Sequence, residues 1–123
     1  TNDIVTQLGD TEPYKGKTDY AAKLCNNLTY IYNGTTYDDW FLPSRYELYE
    51  MCGVLHSRKR DGTNTVINNP DYGTDRVGGF MDEVYWSSSE RDGISAWRNG
   101  FGSCDEYNTG KQFEFCVRAI RAF

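Results

Sequence analysis

The chain has 123 residues, a formal net charge of −5, 15% aromatic residues with ten Tyr and three Trp among them, and a single His. That length fits one domain with a core of its own, and a disordered chain would be poorer in aromatics. The acidic balance excludes nucleic acid as the main partner, because phosphate binding needs a basic stripe, and no stretch is apolar and long enough to cross a bilayer.

The sequence opens at Thr1 rather than Met, so the expectation is a mature or excised domain whose targeting segment lies upstream. Residues 1–17 read as irregular, with turn signals at Gly9-Asp10 and Pro13. From Thr18 the apolar residues Tyr20, Ala21, Leu24, Cys25 and Leu28 recur at helical spacing, and Thr18 or Asp19 can cap the helix. Asn33-Gly34 marks a turn. Trp40 to Leu42 reads as a short extended segment before Pro43. Ser44-Arg45-Tyr46-Glu47 then has the form of a capping box, and Leu48, Met51, Cys52 and Leu55 form the apolar stripe of a second helix.

Residues 57–80 read as a long loop, punctuated by Asp61-Gly62, Asn68-Asn69-Pro70 and Gly78-Gly79. Its basic run, Arg58-Lys59-Arg60, reads as a solvated part of that loop. Strands are expected at Tyr85–Ser88, Ala96–Phe101 and Phe115–Ala122, with a turn at Tyr107–Gly110 between the last two. Helices first and strands last define an α+β domain with two helices packed on a small antiparallel sheet with long loops.

Four cysteines without C-x-x-C spacing and one His make a zinc site a poor expectation. Neither a metal nor a cofactor is expected. The oxygen-rich "NNPDYGTD" lacks defensible Ca²⁺-ligand spacing and reads as solvated loop. The hydroxyls of "WSSSE" would need a base to act as nucleophiles. His56 is the sole histidine, so the expectation is that the chain is not an enzyme.

The words "DDWFLPSRYEL", "YWSSSE" and "AW", followed by Phe101, Lys111 and the closing "VRAIRAF", form an ordered set. Over residues 18–123 the set resembles the domain family at the C-terminus of the Legionella collagen-like adhesin. Its spacing is most similar to the variable proteins of diversity-generating retroelements, such as the Treponema variable protein. The resemblance implies a C-type-lectin-like fold of the formylglycine-generating-enzyme type, over a single domain at 1–123. It also implies a diversified segment at 91–116, where adenines of a template are miscopied while the fold stays fixed. Its scaffold positions correspond to Trp86, Ser87, Ser88, Glu90, Ala96, Trp97, Phe101, Lys111, Val117, Arg118, Arg121 and Phe123, to which we add Trp40 from the extended segment. Glu106, Gln112 and Glu114 depart from the pattern, because pyrimidine-ended Asn codons cannot reach Glu or Gln through adenine changes alone. The cysteine pair of the formylglycine-generating enzymes has no counterpart here, nor have the Ca²⁺-binding triplets of the sugar-binding C-type lectins.

On this reading the chain is a ligand-binding domain of a bacterial or phage surface, outside the cell. Its variable face would comprise Arg91, Asp92, Ile94, Arg98, Asn99, Ser103, Asp105, Tyr107, Asn108, Gln112, Phe113 and Phe115. Tyr107, Phe113 and Phe115 would anchor by contact area, and Arg91 and Arg98 by charged hydrogen bonds. The partner is a protein or other surface ligand. The alternative is a fixed-specificity adhesin domain that binds polysaccharide. Neither reading requires the domain to enter a membrane. Arg118 and Arg121 are expected to pin the last strand through carboxylates, with Glu90 and Asp39 as candidates. Cys104 and Cys116 lie equally far from Gly110, so a hairpin turning at 108–111 would bring them together as a candidate disulfide.

Overall fold

The computed structural model describes residues 20–56 and 79–122, without the side chain of His56. It is an α+β protein with two small antiparallel sheets. The chain divides into two compact units, Thr1–Pro43 with Val117–Phe123, and Ser44–Cys116. The expectations for residues 1–19, for the loop at 57–78 and for Phe123 lie outside the described residues, as does the helix cap at Thr18 or Asp19.

In the first unit, α1 (Ala21–Asn26) is six residues long, and it buries Ala22 and Cys25 against Leu42. Tyr20, Ala21, Val117 and Ala119 pack around that cluster. The sequence stripe is corrected here: Leu24 and Leu28 are exposed. A helix of under two turns presents one short i, i+3 face, and Leu28 falls beyond its end. Strands β1 (Tyr30–Tyr32) and β2 (Thr35–Tyr37) form a hairpin whose register sets Tyr32 opposite Thr35. The two residues between them have positive φ, 49° at Asn33 and 78° at Gly34. That is the backbone a two-residue type I′ turn needs, and Asn-Gly adopts it at little steric cost.

The closing "VRAIRA" does not form the expected third strand. It makes one antiparallel bridge in this unit, Phe41 with Ile120, closed by N–H···O bonds of 2.8 and 2.9 Å. Beside it Arg121 forks onto Asp39, with Nε and one terminal nitrogen donating at 2.8 and 3.0 Å. The same guanidinium lies 4.5 Å from the centre of the Tyr37 ring. The expected partnership of Arg121 with Asp39 is therefore present. Glu90 instead takes Lys111, whose Nζ donates to it at 2.7 Å.

The second unit begins at the capping box. The Ser44 Oγ accepts from the Glu47 N–H, and the Ser44 N–H donates to the Glu47 carboxylate at 2.8 Å. This fixes the start of α2 (Arg45–Met51), which continues as a π-helical turn over Cys52–His56. The unit's sheet has the antiparallel order β3 (Val84–Glu90), β4 (Ser95–Gly100), β5 (Asp105–Gly110). Leu48 and Cys52 on the helical side meet Phe80, Tyr85 and Phe101 in a buried core. The three aromatic rings stand 4.6 to 5.7 Å apart in tilted and edge-on arrangements, close to the preferred geometry of aromatic clusters.

Two corrections follow from β5. The tract expected to turn at 107–110 is strand, and the turn falls at 101–104, where Cys104 has φ 58°. Cys104 therefore does not face Cys116 across a hairpin. It is bonded to Cys52, with Cα atoms 5.7 Å apart, and Cys25 and Cys116 are free thiols. The bond ties the end of the helix to the β4–β5 turn. Cys116 is held elsewhere, in a parallel bridge to Tyr85 on the outer side of β3.

Candidate functional site

Residues paired across an antiparallel ladder project to the same face. One face of the β3–β4–β5 sheet carries Tyr85, Asn99 and Glu106 in one row and Trp97 with Asn108 in the next. The other carries Trp86, Arg98 and Tyr107 in one row, with Ala96 and Thr109 in the next. A register irregularity between Trp86 and Glu90 shifts the pairing by two residues, so that Glu90 stands opposite Ala96 on this second face.

The first face is taken by α2. The Arg45 guanidinium lies 3.5 Å from the Trp97 ring centre and donates to both carboxylate oxygens of Glu106, at 2.9 and 3.2 Å. The Glu106 hydrogen bonds, and its charge, push the Arg45 guanidinium further above its ordinary range. The Arg45 N–H donates to Ser89 Oγ, and Ser87 Oγ donates to the Trp97 carbonyl at 2.8 Å. Asn99 is 1% exposed, donates weakly from Nδ2 to the Cys104 carbonyl, and has no partner for Oδ1 among the described residues. The assignment of Asn99 to a ligand face is thereby corrected: even spacing along β4 turns it into the core beside Tyr85. Asn108 shares this side of the sheet and accepts from Arg91 at 2.8 Å.

The second face opens from β3 towards β5. Trp86 is buried, and Phe115 lies against it with ring centres 4.9 Å apart. Arg98 is half-buried, and Tyr107 is 54% exposed. The Arg98 guanidinium carbon lies 5.1 Å from the Tyr107 ring centre and 5.3 Å from that of Phe115. Its Nε donates to Thr109 Oγ1 at 2.7 Å. The structure thus brings Arg98, Tyr107 and Phe115 together, with Trp86 as the wall behind them.

The remaining expected contact residues lie at the two ends of the sheet. Ser103 donates to the Asp105 carboxylate next to the β4–β5 turn, and both are exposed. At the opposite end, Arg91, Asp92 and Ile94 form the β3–β4 turn, and Gln112 and Phe113 follow β5. Ile94 and Phe113 are 81% and 53% exposed. Asp92 has a local structural part: its Oδ1 accepts from the Ile94 and Ser95 N–H groups and from Ser95 Oγ, at 2.7 to 3.0 Å. These hydrogen bonds, the Ser95 hydroxyl first, hold its carboxyl below the usual range. Lys111 closes the same end, donating from its backbone to the Ile94 carbonyl and from Nζ to Glu90 and the Gly93 carbonyl.

Sequence reasoning overlooked Thr109 as the group that orients Arg98, and Glu106 as the counter-charge of Arg45. Strict alternation across Asp105–Gly110 would have separated the two sets, had the segment been read as strand. No family model matches the chain, and no curated protein matches it.

Proposed function

We propose that the chain is a non-enzymatic ligand-binding domain of C-type-lectin-like type, akin to the variable proteins of diversity-generating retroelements. Its changeable binding face lies within residues 91–116, and it works outside the cell at a bacterial or phage surface. One observation carries the reading. The tract sends alternate residues to two different environments, with Asn99 and Glu106 built into the frame and Arg98, Tyr107 and Phe115 grouped on the opening face. A sheet divided in this way can change its outer side chains and keep its fold.

Two further facts support it. Glu106 departs from the adenine rule, but as the partner of Arg45 it is a frame residue and need not vary. The Cys52–Cys104 disulfide suits an oxidising compartment.

The test is a displayed library randomised at Arg98, Ser103, Asp105, Tyr107 and Phe113, selected against unrelated soluble proteins. Folded binders with different sequences for different targets are expected. A library that yields only unfolded or non-binding variants would overturn the reading. A near-copy of the DNA for residues 86–123 beside a reverse-transcriptase gene, differing mainly at adenines, would establish the diversification itself.

A further inference from the structure

Most of the described side-chain cations of the second unit have an acceptor for their charged ends. Arg45 has Glu106, Lys111 has Glu90, and Arg91 has the Asn108 amide oxygen. Arg98 differs. It stands on the central strand, half-buried, and its only side-chain hydrogen bond among the described residues runs from Nε to the neutral Thr109 hydroxyl. Its two terminal nitrogens have no acceptor there, while the rings of Tyr107 and Phe115 flank the guanidinium. A guanidinium partly withdrawn from water without a counter-charge adds little to folding. With Nε tethered, the terminal pair is left in the end-on fork that matches a carboxylate.

From this we infer that Arg98 is the anion subsite of the binding face, and that its occupant is a carboxylate with an apolar neighbour, carried by a protein partner. The inference rests on the binding-face reading above and names the chemistry of its central contact. Charge selects the carboxylate over a polyanion. The chain carries −5 overall, and Asp105 lies on the same face as Arg98, one row away. A lone guanidinium in that field compensates one negative charge and not a run of sulfates or phosphates. The rings select the neighbour: Tyr107 is more than half exposed beside the guanidinium, and Phe115 backs onto the buried Trp86. An apolar group attached to the carboxylate would cover the Tyr107 ring, remove water from the fork and strengthen the charge-assisted bonds. The carboxylate can come from a Glu or Asp side chain or from a chain terminus.

The experiment is an NMR titration of the intact, disulfide-bonded domain with 3-phenylpropionate, 3-phenylpropanamide and sodium sulfate as probes. The carboxylate should give saturable shifts at the Arg98 Nε–H, the Trp86 indole N–H and the Tyr107 amide. The amide should bind about tenfold more weakly or worse, as loss of a charged hydrogen bond implies. Arg98→Gln should weaken the carboxylate by a similar factor and leave the amide unchanged. Should that variant fail to fold, the comparison of carboxylate with amide on the unaltered protein still decides. Two short peptides then separate the sources: a capped one with an internal Glu next to Phe reports a side-chain carboxylate, and an uncapped one ending in Phe reports a terminus. Equal affinity for acid and amide, or sulfate binding as tightly as the carboxylate, would overturn the inference. So would carboxylate shifts confined to residues remote from Arg98. Success of the randomised library alongside failure of these probes would remove the carboxylate subsite and leave the binding face standing; the converse pattern would do the reverse.

Discussion

Arg45 lies 3.5 Å above the Trp97 ring while gripping Glu106 with two hydrogen bonds. The three residues come from α2, β4 and β5, so one guanidinium joins the helix to two strands. Replacing Arg45 with Lys keeps the charge and loses both the fork and the planar stack. Arg45→Lys should lower the melting temperature by a few degrees, and Glu106→Gln should lower it as well. The double variant should fall by less than the sum of the two, because both remove the same contact. Additive effects in thermal unfolding would show that the grip is incidental.

The disulfide provides a second test. Cys52 and Cys104 are 52 residues apart in sequence, and in the chain-entropy model closing such a loop stabilises by roughly 4 kcal/mol. Thiol titration of the unfolded, unreduced protein should find two free thiols, which peptide mapping assigns to Cys25 and Cys116. Burial pushes the Cys25 thiol up to about 11 and raises that of Cys116, so both should react slowly before unfolding. A mapped bond between Cys104 and Cys116 would return the hairpin to 108–111 and refute the β5 register.

Asp92 makes the β3–β4 turn sensitive to acid. Its carboxyl titrates below the ordinary range in the folded protein, while in the unfolded chain it titrates at about 3.9. As pH falls, the unfolded chain takes up this proton first, so the stabilisation is full above the unfolded value. It is lost as pH drops through the folded value. Unaltered protein should therefore be more stable than Asp92→Asn at pH 7, and the gap should close in acid. A gap independent of pH would mean that the hydrogen bonds of the turn do not depend on the ionised carboxylate.

Asn99 separates core from face most sharply. Asn99→Asp would place a charge at a site 1% exposed, and a cost of roughly 3 kcal/mol or more is expected. Arg98→Ala, one residue earlier, should cost far less. Chemical denaturation of both variants checks this, and similar losses would contradict the assignment of the two faces.

What could be read from the sequence was local. The capping box at Ser44 and Glu47 was legible because both partners lie within one turn. The strands around Trp86 and Trp97 were legible through their aromatic residues. The residues of β5, Asp-Glu-Tyr-Asn-Thr-Gly, carry no apolar alternation. One side of that strand is held by an ion pair and the other opens outward, so neither gives a hydrophobic period. The β1–β2 hairpin did show its Asn-Gly turn, but its flanking strands are three residues each and too short to signal themselves. The tail misled in the opposite direction. "VRAIRA" looks like a strand, yet it makes a single bridge, Ile120 to Phe41, so no ladder builds. The disulfide depended on where the hairpin turns, and no local residue preference sets that register.

The claim that frame and face alternate along one tract is tested most directly by a scan of every position from 84 to 116, with folding read as protease resistance of the displayed, oxidised domain. Trp86, Trp97, Asn99, Phe101 and Glu106 should tolerate few replacements, with Trp86→Ala costing roughly 3–5 kcal/mol. Arg98, Ser103, Asp105, Tyr107 and Phe113 should accept most. The predicted result is an alternating pattern through β4 and β5, with Arg98 and Tyr107 permissive between intolerant Trp97, Asn99 and Glu106. Uniform tolerance, or uniform intolerance, across residues 97–107 would contradict it.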